Sequence, residues 1–369
     1  MATFITATRI VTGWGASADL GRLAAVYGRQ ALLITGRSAL RGARVTERLR
    51  NLLRASGVEA GLFDQVQPEP TTDAVDAVRE VIRRSRCDVV LAAGGGSVID
   101  VGKAAAALAF ETSPTAEYFS LRPVPERGLP FIALPTTAGT GAEVTLNSVL
   151  TDPKRGVKES IRGEALMPAV AIVDGELTVA CPPDVTAASG LDALTQAIES
   201  YWSRGATELT DCLAFHAAEL VWANLRKAWR DGRDQSARQA LSEGALLAGM
   251  ALANARLGAV HGVAHPLGLK CRIAHGVVCA AMLPHVMRFN RPAVAAKYDR
   301  LAGVMGMDPI EAVERLLDEL KLPRRLGPLG LRAEDIPEIA RQSMPSGSLK
   351  ANPRSATEQD IRDLLSQAL

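Results

Sequence analysis

Apolar positions in the first half of the chain fall into short continuous runs, with helical periodicity between them. Residues 31–35 (ALLIT), ended by Gly36, read as a buried strand. Residues 45–55 carry the spacing of an amphipathic helix, and residues 58–66 read as a second strand. Pro68, Pro70, Thr71 and Thr72 make a turn, with Thr72 expected to cap the helix DAVDAVREVIRR. Residues 88–93 (DVVLAA) form a third strand that runs straight into Gly94, Gly95, Gly96 and Ser97, and VIDVGKAAAALAF beyond them is helical. Residues 131–134 and 170–174 repeat the strand signal. Strands alternating with helices predict a parallel sheet covered on both faces, with ligands at the carboxyl ends of the strands.

Strand-type runs then become scarce. Residues 184–203, 208–229, 235–254 and 277–288 all allow amphipathic helices, as does 309–369 between its prolines. The expected architecture is an α/β domain over residues 1–180 and an all-α domain over 181–369, joined near Cys181-Pro182-Pro183.

The chain's 369 residues suit two such domains better than one core. A net charge of +2 argues against broad attraction to nucleic acid or membranes, and neither is expected as a partner. No apolar run approaches the roughly 20 residues of a membrane span. The start, MATFITATRIV, lacks the features of a signal peptide, and five scattered cysteines without a CxxC suit a reducing compartment. A cytoplasmic location is expected.

Two joints carry candidate chemistry. At strand–GGGS–helix, glycines let the backbone approach a ligand, and the helix N-terminus offers free N–H groups suited to a pyrophosphate. The pattern is not the GxGxxG fingerprint, and glycine turns after strands are common. The second joint, PTTAGTGAEVT, sets the hydroxyls of Thr136, Thr137 and Thr140 beside two glycines. Taken singly it is a polar turn; two such loops in one α/β domain favour a nucleotide.

The stretch 258–285 holds four of the five histidines: His261, His265, His275 and His285. His261 and His265, four apart, share a helix face, and Pro266 to Gly268 are expected to close that helix. His275 stands near the start of another. Imidazoles from adjacent elements can converge as metal ligands, or serve as core and capping residues. Asp192 and Gln196 are likewise four apart on one face. A carboxylate flanked by apolar residues needs a buried partner.

Together, GGGSVIDVGKAAA at 94–106, LPTTAGTGAEVT at 134–145, GLDALTQAIESY at 190–201, HGVAHPLG with HGVV at 261–278 and ANPRSATEQDI at 351–361 resemble the iron-containing (group III) alcohol dehydrogenases. That family shares its fold with glycerol dehydrogenase and dehydroquinate synthase. The resemblance implies a dinucleotide-binding α/β domain, a helical C-terminal domain and a nicotinamide cofactor in the cleft between them. It also implies a divalent ion, iron or zinc, held by an aspartate and three histidines. By matching motifs these are Asp192, His261 and His275, with His265 as the extra histidine beside the metal and the candidate proton carrier. One ligand departs: the family's first histidine falls where this chain has Gln196, a neutral and weaker donor.

Cofactor-binding positions are expected at Gly36, Arg37, Gly94, Gly95, Gly96, Ser97, Asp100, Thr136, Thr137, Thr140, Asn147 and Lys158. Gly36 stands where the family commonly has an acid for the ribose, and Arg37 and Ser38 follow, so NADP(H) is expected to be accepted and slightly favoured over NAD(H). The implied reaction interconverts a small alcohol and its aldehyde or ketone. The alternatives are a metal-independent reductase of an oxo-acid, like maleylacetate reductase, and a non-catalytic nucleotide-binding relative. Arg256, Lys270 and Arg272, close in sequence to the histidines, read either as solvent-facing or cofactor-phosphate contacts, or as an anion site for a substrate with a carboxylate, phosphonate or phosphate. A homodimer is expected.

Overall fold

A computed structural model describes residues 3–37 and 44–369, so Ser38 lies outside the described residues. Two compact units are present. The first spans Thr6–Cys181 and takes in Gly232–Leu246; the second comprises Pro182–Asp231 and Leu247–Leu369 with the N-terminal residues up to Ile5.

The first unit contains strands β1 (Arg9–Thr12), β2 (Gln30–Gly36), β3 (Glu59–Val66), β4 (Val89–Gly94), β5 (Phe131–Pro135), β6 (Asn147–Asp152), β7 (Val157–Arg162) and β8 (Val170–Val173). Among the described residues, six of these form one parallel sheet in the order β1-β8-β5-β4-β2-β3. Helices α1 (Leu20–Ala24), α2 (Val45–Ala55), α3 (Thr72–Ser85) and α4 (Gly96–Ala107) cover it. Side chains alternate across the pleat, as a strand's period of two requires. Leu32, Ile34, Val90 and Ala92 join the α3 and α4 side chains in one core. Ala31, Leu33, Val89 and Leu91 join those of α1 and α2 in another. Each central strand therefore buries both faces, which is why its sequence reads as a continuous apolar run.

Three details of this unit differ from expectation. Thr71, not Thr72, caps α3: its side chain accepts from the Ala74 N–H. The antiparallel hairpin β6–β7 was not foreseen, because its strands are short and only half-buried. β1 was missed for the same reason.

The second unit is helical: α5 (Pro183–Trp202), α6 (Glu208–Arg230), the C-terminal half of α7 (Gln235–Ala255), α8 (Ala259–Cys271) and α9 (His275–Asn290), with further helices on to Glu358–Ala368. Proline at the first position of α5 suits a helix start, where no N–H is needed. Pro266 does not close α8 as expected; the helix runs through it to Cys271. Packing of α8 against α9 outweighs the missing N–H, as tertiary contacts often do. Among the described residues no single helix is long and apolar enough to cross a membrane.

Candidate metal and cofactor sites

Asp192 on α5, His261 on α8, and His275 and Cys279 on α9 each bring one ligand-type atom to a common point, all within 4.8 Å of one another. Asp192 Oδ1 lies 3.3 Å from His261 Nε2 and 3.6 Å from His275 Nε2. Cys279 Sγ lies 3.8 and 3.6 Å from the same two nitrogens. In a tetrahedral site with bonds of about 2.0–2.1 Å to N or O and about 2.3 Å to S, O···N edges come to about 3.3 Å and S···N edges to about 3.6 Å. The cluster already has the dimensions of a coordination shell. Asp192 Oδ1 has no aligned hydrogen-bond donor although it is buried, an arrangement that suits a cation.

Electrostatics point the same way. Burial alone would raise the Asp192 carboxyl, but His275 and His261 outweigh it and hold it below the usual range. Burial works against a charged His261, yet Cys279, Asp192 and Glu199 overcome it and raise that imidazole well above its ordinary value. Burial pushes the Cys279 thiol up to about 12. Asp192 and Glu199 place carboxylates against both nitrogens of the His261 ring.

Glu199 is a functional residue that sequence reasoning missed. Its Oε2 accepts from His261 Nδ1 at 2.7 Å and from the His261 backbone N–H at 3.3 Å; its Oε1 accepts from Val260 N–H at 2.7 Å. A carboxylate on Nδ1–H fixes the tautomer that leaves Nε2 free to bind a metal. The Asn352 amide oxygen accepts from Ala259 N–H at 3.0 Å. Two remote side chains thus take the first free N–H groups of α8. Gly258 is what lets them in: a Cβ there would stand 2.7 Å from Glu199 Oε1 and 2.8 Å from Asn352 Oδ1. Asp192, Gln196 and Glu199 recur at helical spacing on α5, and that was the available signal. Cys279, also missed, follows His275 by one turn.

Gln196 is buried with Asp192, but its Nε2 donates to Asp192 Oδ2 at 3.1 Å. Its Oε1 is buried without a donor. The His265 ring lies 5.6 Å, centroid to centroid, from that of His275. His285 is half-buried, and burial lowers its pKa; among the described residues it is not one of the converging group.

In the α/β unit, Gly94 and Pro135 are paired residues at the carboxyl ends of β4 and β5. The 94–97 and 136–140 loops therefore lie side by side, tied by Thr136 N–H donating to Gly94 C=O at 3.0 Å. A Cβ on Gly96 would come within 2.7 Å of Thr140, so the close approach of the loops itself requires glycine there. Helix α4 starts at Gly96 with no side-chain cap, which leaves its first N–H groups for an anion. The fully buried Lys103 braces the second loop, its Nζ donating to Ala142 C=O at 3.0 Å and Thr145 Oγ1 at 2.8 Å. Asp100 lies 3.3 Å from Lys103 Nζ and accepts from Val149 N–H at 3.1 Å, and burial raises its carboxyl. Asn147 opens β6, and Lys158 on β7 pairs with Glu69. Gly36 ends β2, one residue beyond the pairing of β2 with β4, and Arg37 is exposed.

Residues 7–175 match the family described as iron-containing alcohol dehydrogenase, and residues 186–369 match its C-terminal part. The chain belongs to the iron-containing alcohol dehydrogenase family. It is 37% identical over 355 residues to the 1,3-propanediol dehydrogenase of Klebsiella pneumoniae, with 92% of each chain covered. A crystal structure of a 1,3-propanediol oxidoreductase matches the whole fold with a TM-score of 0.96 and 34% identity, covering 100% of both chains. The sulfoacetaldehyde reductase of Bifidobacterium kashiwanohense, solved with NAD+, matches with a TM-score of 0.93 and 32% identity over 100% of this chain and 98% of that one. The chain is thus an oxidoreductase of the alcohol dehydrogenase and aldehyde reductase kind.

Of the three basic residues close in sequence to this chain's histidines, Lys270 is exposed and paired with Glu338 at 2.8 Å and Asp335 at 3.4 Å. Arg256 precedes α8 and Arg272 caps its C-terminus, both exposed and both with positive φ, 67° and 56°. A bulky residue in that region is uncommon and strained.

Proposed function

We propose that this chain interconverts a small alcohol and its aldehyde by reversible hydride exchange with a nicotinamide cofactor, assisted by a divalent ion such as iron or zinc. The observation that carries the reading is the convergence of Asp192 Oδ1, His261 Nε2 and His275 Nε2 on one buried point, where the carboxylate oxygen has no aligned hydrogen-bond donor. These three residues would hold the ion. When bound, such an ion supplies Lewis-acid stabilisation of charge on the substrate oxygen. Glu199 orients His261, and Gln196 steadies Asp192 through its second oxygen. His265, whose ring lies beside that of His275, is the candidate to hold and pass on the alcohol proton. Gly94–Ser97 at the start of α4, with Thr136, Thr137 and Thr140 alongside, would take the cofactor's phosphates and polar groups; Asp100, Asn147 and Lys158 complete the candidate set, with Gly36 and Arg37 nearest the ribose. The free cysteines suit a cytoplasmic location, and a homodimer is the proposed assembly.

The test is aldehyde-dependent NAD(P)H oxidation across a panel, before and after dialysis against chelator. Activity that falls with chelator and returns with metal is expected. Chelator-insensitive activity would favour the metal-independent reductase, and no turnover on any aldehyde or alcohol would favour a non-catalytic relative.

With glycine rather than an acid at position 36 and Arg37 next to it, kcat/KM for NADPH should equal or exceed that for NADH. A strong NADH preference in steady-state kinetics would overturn this.

The substrate is proposed to be anionic. The sulfoacetaldehyde reductase among the relatives and the two strained arginines flanking α8 support that reading. Losing one charge-assisted contact costs roughly 1.5–3 kcal/mol, so Arg256→Ala or Arg272→Ala should lower kcat/KM for an anionic aldehyde about 10- to 100-fold. A neutral aldehyde of equal length should hardly respond; equal losses on both would point to a structural role.

A further inference from the structure

We propose that Cys279 is the fourth metal donor of this chain, its thiolate standing in for the imidazole that position 196 lacks, while Gln196 acts only on Asp192. The inference rests on the metal-assisted reading above and specifies its ligand set. A buried cysteine ordinarily serves as a small apolar filler. Here the side chain is aimed instead at a carboxylate and two imidazoles, 3.6 and 3.8 Å from the two Nε2 atoms, and S···N edges of a tetrahedral shell come to about 3.6 Å. Asp192 Oδ1, buried without an aligned hydrogen-bond donor, belongs to the same converging group. Gln196 turns its amide nitrogen to the other carboxylate oxygen, Asp192 Oδ2, at 3.1 Å.

The exchange changes the chemistry of the site. Thiolate is a softer donor than imidazole and shifts the preference toward zinc-like ions. It is also anionic. With Asp192 it offsets the full charge of a divalent ion, where a neutral imidazole would leave part of it uncompensated.

Cobalt(II) reports the donor set directly, because a thiolate bound to cobalt gives a near-ultraviolet charge-transfer band that oxygen and nitrogen donors do not. The full-length chain, stripped by chelator and loaded with cobalt, should show that band at one ion per chain. Cys279→Ser should lose it, and its zinc dissociation constant should rise about 100-fold or more, since disturbing even a ligand's supporting contacts costs roughly 10- to 100-fold. Gln196→Leu should keep the band. So should a chain carrying Cys87→Ala with Cys181→Ser, Cys212→Ser and Cys271→Ser, which decides the matter if Cys279→Ser does not fold. A wild-type chain that binds one cobalt without the band overturns the Cys279 assignment and leaves the metal-assisted reading standing. A band that survives Cys279→Ser, or that vanishes in either of the other variants, also overturns it. A chain that takes up no divalent ion overturns both.

Discussion

Glu199→Gln is expected to weaken zinc binding as much as Glu199→Ala, about 10- to 100-fold in either case. The substitution looks conservative and is not. Both carboxylate oxygens are acceptors, one for Val260 N–H and the other for His261 Nδ1–H and the His261 backbone. An amide has one acceptor and one donor end. Turned one way, it sets an N–H against the Val260 N–H. Turned the other way, it donates to His261 Nδ1, moves the ring proton to Nε2 and closes the nitrogen that should meet the ion. Equilibrium dialysis with zinc reads the outcome. If Glu199→Gln binds zinc as tightly as the parent, His261 owes its tautomer to some other group.

The largest stability effect is expected at Arg79→Met, about 3–5 kcal/mol by urea unfolding followed by circular dichroism. Arg79 is 2% exposed. It donates to Leu108 C=O at 3.0 Å, Ser113 C=O at 2.9 Å, Glu111 C=O, Thr115 Oγ1 at 3.3 Å and Asp76 Oδ1 at 2.6 Å. One guanidinium therefore fastens α3 to the irregular segment that follows α4. Methionine fills much of the volume but leaves the Ser113 and Glu111 carbonyls without their donor and takes one donor each from Leu108 C=O and Asp76. Asp76→Asn should cost less, because the Asp76 side chain is 35% exposed and water can replace part of its contact. A loss below about 1 kcal/mol for Arg79→Met would mean that the loop reorganises and its carbonyls find water.

What could be read from sequence follows the range of the interaction. The buried strands and the joint at Gly94–Ser97 are signalled by contiguous residues and were legible. So was the convergence of Asp192 with His261 and His275, through likeness of motif. Glu199 and Cys279 escaped for physical reasons. A glutamate in a helix reads as a solvated side chain until the helix end it caps is known, and that end lies 61 residues away in sequence. A cysteine among Val, Ala and Met reads as core. Pro266 misled because its local preference is real and was outweighed by packing that only the fold reveals. Lys270 misled in the other direction: its nearness to the histidines in sequence is not nearness of its charge, which is spent on Glu338 and Asp335.

The cap on α8 also sets an order of events during synthesis. Asn352, the partner of Ala259, lies 93 residues further along the chain. At ~5–20 residues per second, the ribosome needs on the order of 5–20 s to make that amide after the helix has been translated. Through that interval the chain contains only one of the two side-chain caps of α8, Glu199. The Ala259 N–H gains its side-chain acceptor, and the two-sided cap of α8 becomes complete, only once position 352 has been made.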